Sequence, residues 1–234
     1  MKQTLNQILE ATKGSIIISC QALPGEPLYC EEMSLMPFMA KAAKEAGSRC
    51  IRTSSVRDVT EIKKATGLPV IGLIKRYYDG YDSYITPTMR EIDELVAADS
   101  DIVALDCTMR VRGDGTSISG FLKQIRAKYP DIALMADIST LEEGINAWKC
   151  GVDIVSTTMS GYTPYSPKTD EPDYALAESL VKAVPIPVFA EGKVHYPDQA
   201  RKLLDLGVHA VVIGGAVTRP LEIAQRFFRA VKEV

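Results

Sequence analysis

The chain has 234 residues and a net charge of −3, and it is 46% hydrophobic and 24% charged. This is an ordinary globular composition with enough length for a large core. Its basic residues are spread along the sequence, which argues against a nucleic-acid-binding face while leaving room for a local phosphate site. The N-terminal segment lacks the apolar stretch of a signal peptide, and no apolar run reaches the ~20 residues of a membrane helix.

Eight short apolar runs rich in β-branched residues predict strands, and between them lie segments with apolar residues at helical spacing. The predicted strands are residues 15–20, 50–53, 69–74, 101–106, 132–137, 153–158, 187–191 and 210–214. Eight strand–helix units in one chain of this length are typical of a (β/α)8 barrel. A doubly wound sheet is disfavoured because no G-x-G-x-x-G motif follows the first strand. We therefore expect one α/β domain, a single (β/α)8 TIM barrel over residues 1–234.

Polar residues or glycines stand at the C-terminal end of every predicted strand. They are Gln21, Arg52, Lys75, Asp106, Asp137, Thr157 or Thr158, Glu191, and the pair Gly214-Gly215. In barrels this end of the strands forms the active-site face. The sequence thus predicts a ring of acids, bases and hydrogen-bond donors around one mouth.

Lys75 and Glu191 are the candidate proton-handling pair. A desolvated lysine near Arg52 or Arg76 would have a lowered pKa, and a glutamate in the same apolar mouth would have a raised pKa. Such a pair offers a neutral amine as base and a carboxylic acid as donor. The alternative is a buried salt bridge that braces the barrel, which would shift both pKa values the other way.

A phosphate site is predicted where the last strand ends. Gly214 and Gly215 let the backbone approach an oxyanion, and a helix expected from Arg219 or Pro220 would add N–H donors. The loop after the seventh strand adds Gly192 and Lys193, and Arg219 could form a charge-assisted bond. Two longer segments, 77–88 and 159–172, are interpreted as lids or specificity elements, with a disordered connector as the alternative for the second.

No metal site is predicted. His195 and His209 stand alone without metal-ligand spacing and are interpreted as structural or surface residues. The five cysteines form no C-x-x-C pair, so we expect reduced, buried thiols and a cytoplasmic protein.

The motifs SCQA (19–22), IGLIKR (71–76), MADIST (135–140), VSTTMSGYT (155–163), AEGK (190–193) and IGGAVTRP (213–220) resemble the bacterial N-acetylmannosamine-6-phosphate 2-epimerases. The resemblance spans nearly the whole chain in the same order. It implies a cytoplasmic (β/α)8 barrel, often a homodimer, that acts in sialic acid breakdown. The implied reaction interconverts N-acetylmannosamine 6-phosphate and N-acetylglucosamine 6-phosphate without a cofactor or metal.

The resemblance also implies residue roles. Lys75 and Glu191 become catalytic. Gln21, Arg52 and Asp137 become sugar contacts, and Gly192, Gly214, Gly215 and Arg219 become the phosphate grip. Lys193 departs from the family motif, which often has Arg there, and residues 24–32 have no firm match.

The chemistry is compatible with these roles. In the open-chain sugar, C2 is α to the C1 aldehyde, so loss of its proton gives an enolate without nicotinamide or pyridoxal. Glu191 could then reprotonate C2 from the other face, assist ring opening, or act through a substrate hydroxyl. Two other functions remain open: a phosphosugar aldolase or lyase that uses Lys75 as a Schiff-base nucleophile, and a non-catalytic barrel that senses a phosphosugar. The expected partner is thus a small phosphorylated N-acetyl amino sugar, with no nucleic acid and no membrane.

Overall fold

Consecutive strands of the chain pair in parallel and close on themselves, since the first strand also pairs with the eighth. The computed structural model describes residues 3–232. The strands are β1 Ser15–Cys20, β2 Ile51–Ser54, β3 Val70–Leu73, β4 Ile102–Asp106, β5 Ala133–Asp137, β6 Ile154–Ser156, β7 Val188–Glu191 and β8 Ala210–Ile213. The predicted (β/α)8 barrel is confirmed.

Helices surround the barrel and one precedes it. They are α1 Leu5–Thr12, α2 Met36–Glu45, α3 Val56–Thr66, α4 Met89–Ala97, α5 Ile118–Lys128, α6 Leu141–Lys149, α7 Tyr174–Ala183, α8 Pro197–Asp205, the short α9 Gly215–Thr218 and α10 Pro220–Lys232. The start of α6 follows directly from the sequence, because Thr140 and Glu143 form a reciprocal capping box. Within residues 3–232, no helix combines the length and apolar character needed to cross a bilayer.

Alternate strand residues face opposite sides of the barrel wall and form two apolar clusters. Ile71 and Leu73 of β3 belong to the interior cluster, whereas Val70 packs with the surrounding helices. Helix α1 adds Ile8, which is 1% exposed, to the interior cluster. The N-terminal helix therefore packs on the apolar part of the barrel interior.

Two residues further along several of the strands, toward their C-terminal ends, the side chains that face the barrel interior change from apolar to polar. This step leads from Leu73 to Lys75, and from Phe189 to Glu191. Equivalent steps reach Gln21, Asp106, Asp137 and Gly214. Strand register thus places the predicted site residues above the apolar layers, at the C-terminal ends of the strands.

Candidate active site

A cavity of about 250 Å³ opens where the barrel interior becomes polar. Eight of the nine predicted site residues line it: Gln21, Arg52, Lys75, Glu191, Gly192, Gly214, Gly215 and Arg219. The ninth, Asp137, is completely buried and contacts Arg52 instead. The structure brings the predicted residues together at one mouth, and their chemical roles stay predictions.

Lys75 is held by a segment that turns back over the end of β3. A β-bridge joins Lys75 to Ile85, and the Thr86 N–H donates to the carbonyl of Ile74 at 2.7 Å. Segment 77–88 is therefore an ordered part of the site. It fixes the backbone of Lys75 and places the side chain at the cavity.

The environment of Lys75 favours its neutral form. Burial lowers the pKa of the amine, and the positive charges of Arg219 and Arg52 lower it further, while Glu191 opposes them. The ion pairs among residues 3–232 do not include one between Lys75 and Glu191. The predicted alternative, a Lys75–Glu191 salt bridge, is thus not what the structure shows.

The side chain of Arg76 points away from the cavity, toward α4. Its guanidinium forms ion pairs with Glu91 and Glu94 of α4, the latter at 2.9 Å. Since adjacent strand residues face opposite sides, an inward Lys75 requires an outward Arg76. Of the two arginines considered from the sequence, Arg52 lowers the pKa of Lys75, whereas the charge of Arg76 is paired with two carboxylates of α4.

Arg52 crosses the barrel interior and organises two carboxylates. It is 1% exposed, and its two Nη atoms donate to Asp137 Oδ1 at 3.1 Å and Oδ2 at 2.7 Å. Its Nε lies 3.2 Å from Glu191 Oε2 but makes no hydrogen bond within the described residues. The bidentate pair fixes the guanidinium plane, so Glu191 contacts Arg52 from the side.

Glu191 is shifted toward its acid form. Burial raises its pKa to about 7, Arg52 opposes this shift, and the charge of Asp137 adds to it. A carboxyl group with this pKa is partly protonated near neutral pH, as a general acid must be.

The loops of the predicted phosphate site have unusual backbone geometry. Gly192 and Lys193 have consecutive φ values of +111° and +58°, a left-handed conformation that is rare for lysine. Gly214 is followed directly by α9, which begins at Gly215. Helix α10 begins at Pro220, within the predicted range, but the four-residue α9 before it was not predicted.

Arg219 is already bound by acidic partners. Its guanidinium contacts Glu26 at 2.9 Å and Glu222 at 3.0 Å. Glu222 lines the cavity, and its carboxylate lies against Gly215, where it leaves no room for a Cβ atom. A bound phosphate would therefore meet Arg219 together with a nearby carboxylate.

Segment 159–172 is tied to the barrel, so it is not a disordered connector. The Tyr165 hydroxyl donates to Glu143 at 2.6 Å. Tyr162 lines the cavity, and the ammonium of Lys193 lies 5.5 Å from its ring centroid. This segment forms a wall of the cavity beside Lys193.

Sequence reasoning missed several cavity residues. His195, interpreted as structural or surface, lines the cavity, and its pKa is lowered by burial and by Arg226. Its place two residues after the Gly192-Lys193 loop was the available signal. His209, in contrast, is structural, since its Nε2 lies 2.9 Å from the carbonyl oxygen of Leu9. Residues 3–232 contain no group of three or more potential metal ligands.

Comparison with known proteins gives consistent matches along the chain. The family model NanE, described as "Putative N-acetylmannosamine-6-phosphate epimerase", matches residues 36–233. A relative from Caldanaerobacter subterraneus subsp. tengcongensis, named "Putative N-acetylmannosamine-6-phosphate 2-epimerase", is 50% identical over 226 residues, covering 97% of this chain and 94% of the relative. A relative of the same name from Clostridium perfringens is 50% identical over 220 residues, covering 94% and 98%.

Solved structures agree. The N-acetylmannosamine-6-phosphate 2-epimerase from Clostridium perfringens matches with a TM-score of 0.91 at 48% identity, covering 98% of this chain and 99% of that chain. Thiamine phosphate pyrophosphorylase from Pyrococcus furiosus has a TM-score of 0.60 at 18% identity, covering 97% and 98%, and shares the fold alone. The matches in sequence and structure show that this chain belongs to the NanE family of N-acetylmannosamine-6-phosphate epimerases.

Proposed function

We propose that this protein interconverts N-acetylmannosamine 6-phosphate and N-acetylglucosamine 6-phosphate by removing and returning the C2 proton, without an organic cofactor. The observation that carries the proposal is the placement of Lys75 and Glu191 in one cavity, unpaired with each other. The pKa of the lysine is lowered and that of the glutamate is raised to about 7. The two pKa values are thus shifted toward each other, as a base and an acid of one site require.

The proton transfers follow from this arrangement. Neutral Lys75 takes the C2 proton of the open-chain sugar, and the electrons of the broken C–H bond move to the C1 oxygen. Gln21 and Arg52 line the cavity as donors for the developing oxyanion. Asp137 holds the Arg52 guanidinium in place from behind. Return of a proton to the opposite face of C2 completes epimerisation.

Glu191 fits three steps that need a proton donor. It can deliver the proton to C2, protonate the ring oxygen during ring opening, or pass a proton through a substrate hydroxyl. Glu191→Gln separates direct delivery of the proton to C2 from a role in an earlier step. Loss of epimerisation with retained exchange at C2 assigns Glu191 to reprotonation, whereas loss of both assigns it to an earlier step.

The substrate phosphate is assigned to the part of the cavity formed by the loops after β7 and β8. Gly192, Gly214 and Gly215 allow close approach of the backbone, and Lys193 and Arg219 supply positive charge. This placement directs the sugar carbons toward Lys75 and Glu191.

We also propose a homodimer. Helix α10 has no buried residue, and Phe227, Phe228 and Val231 are 72%, 68% and 76% exposed. An apolar groove of about 470 Å³ beside α8, lined by Ile16, Leu204, Ile213 and others, is also uncovered. A second copy would bury both surfaces. Analytical ultracentrifugation of wild type and Phe228→Ser tests this: a wild-type monomer at micromolar concentration would contradict it.

We further place the enzyme in the cytoplasm, in the breakdown of sialic acid. The motif resemblance supports this, as do the five cysteines, all free in the structure.

The decisive experiment is proton NMR of N-acetylmannosamine 6-phosphate in deuterium oxide with the protein. Epimerisation predicts replacement of the C2 proton by deuterium and appearance of the second sugar. An unchanged C2 signal would refute the proposal and favour a sensing role. A desolvated amine can also form a Schiff base, so a covalent adduct at Lys75 after borohydride treatment would favour an aldolase or lyase.

A further inference from the structure

The hydroxyl of Thr158 lies between two carboxylates of the site. Its Oγ1 is 2.7 Å from Asp137 Oδ1 and 3.1 Å from Glu191 Oε2. Ser156 Oγ lies 2.9 Å away on a third side. A threonine hydroxyl has one hydrogen to donate and two lone pairs, so it cannot donate to both carboxylates at once.

One arrangement satisfies all three contacts. Thr158 donates to Asp137, the shorter contact, and accepts from Ser156 and from the protonated form of Glu191. Asp137 already accepts hydrogen bonds from both Nη atoms of Arg52. Its carboxylate is therefore held in place as the acceptor for Thr158. If Glu191 is ionised instead, Thr158 must either leave Asp137 or face Glu191 with a lone pair.

We propose that Thr158 is a positioning residue that stabilises the acid form of Glu191 by accepting a hydrogen bond from its carboxyl O–H while donating its own hydrogen to Asp137. The inference rests on the proposed function, because it assigns the source of the acid that epimerisation requires. The sequence pointed only to Thr157 or Thr158 as a strand end, and the hydrogen bonds separate the two. Thr157 contacts only the main chain of Glu191, with its Oγ1 2.9 Å from the carbonyl oxygen and 3.0 Å from the amide nitrogen.

The charged and titratable groups that face Glu191 come from four elements. Arg52 of β2 and Lys75 after β3 favour the ionised form, while Asp137 of β5 and burial favour the acid form. Tyr162 of segment 159–172 lies within electrostatic range. Donation from Thr158 to Glu191 would lower the pKa of the carboxyl group, and acceptance from it would raise that pKa. The shorter contact makes Asp137 the better acceptor for the Thr158 hydrogen, which leaves a lone pair of Thr158 for the acid form of Glu191.

Thr158→Val tests the inference, since valine keeps the shape and removes the hydroxyl. The acid form of Glu191 then loses a hydrogen-bond acceptor, so its pKa should fall by about one, a tenfold rise in acid dissociation constant. The measurement is a carbon NMR titration of glutamate side-chain carboxyl groups. The Glu191 signal is assigned by its loss in Glu191→Gln.

Two variants serve as controls, one for the loss of the Thr158 hydroxyl and one for a purely structural effect of a neighbouring hydroxyl. Thr158→Ser keeps the hydroxyl and should retain the wild-type pKa of Glu191. Thr157→Val removes the neighbouring hydroxyl, which touches no carboxylate, and should leave that pKa unchanged. A rise or no change in Thr158→Val, or an equal fall in Thr157→Val, would overturn the inference. Since the titration needs no turnover, failure of the C2 exchange experiment would be seen separately.

Discussion

Replacing Lys75 with methionine removes the assigned base while keeping a side chain of similar length in the cavity. The other lysine of the cavity, Lys193, lies beside Tyr162, and Glu191 is shifted toward its acid form. His195 also lines the cavity, so the residual rate of the variant measures how far another group can replace the amine. General base catalysis typically contributes about 10²–10⁴ in rate, so exchange at C2 should fall by that factor, about 3–5 kcal/mol in barrier.

The same variant should keep its fold. The folded state lowers the pKa of Lys75 from its usual 10.5, so it disfavours the charged amine. Wild type therefore gains stability as pH rises from the lowered pKa toward 10.5, and below that window it carries the cost of the charge. Lys75→Met removes this cost, so its melting temperature at neutral pH should equal or exceed that of wild type.

Proton NMR in deuterium oxide measures the exchange rate, and calorimetry with the substrate measures binding. Lys193→Met is the matched control, because it removes the other lysine of the cavity and should raise KM while leaving kcat nearly intact. Exchange within tenfold of wild type in Lys75→Met would refute the assignment of Lys75 as the base.

Four further outcomes are expected. Glu191→Gln should lower turnover about 10²–10⁴-fold with substrate binding retained; near-wild-type turnover would make the residue a brace. Because the pKa of Glu191 is raised from 4.5 to about 7, its contribution to stability falls as pH rises between those values, and urea unfolding of Glu191→Gln should lack that fall. Arg219→Ala should raise KM at least tenfold, roughly the worth of one charge-assisted bond, and should move the pH dependence of kcat upward because the Arg219 charge lowers the pKa of Lys75; an unchanged KM would place the phosphate elsewhere. Glu222→Gln should lower KM severalfold by removing a carboxylate beside the phosphate, whereas a rise would show that Glu222 orients Arg219.

Much of the site could be predicted because strand residues alternate strictly between two faces. That rule places Lys75 and Glu191 inward as soon as Leu73 and Phe189 are recognised as interior residues. It also requires Arg76 to point outward, so its ion pairs on α4 could have been foreseen.

The remaining features depend on contacts between distant parts of the chain. The pairing of Arg52 with Asp137 joins β2 to β5 across the barrel, which no local pattern encodes. Helix α9 has four residues, too few for apolar periodicity to predict it. Glu222 follows Arg219 at helical spacing, yet only the fold shows that its carboxylate reaches Gly215.

The layered interior has a consequence for how such a protein can change. The lower layers, exemplified by Ile71 and Phe189, hold the barrel together, and the polar layer above them holds the candidate chemistry. Because the apolar packing lies below the polar layer, residues of the upper layer can differ between proteins that share the scaffold, which allows one fold to host different functions.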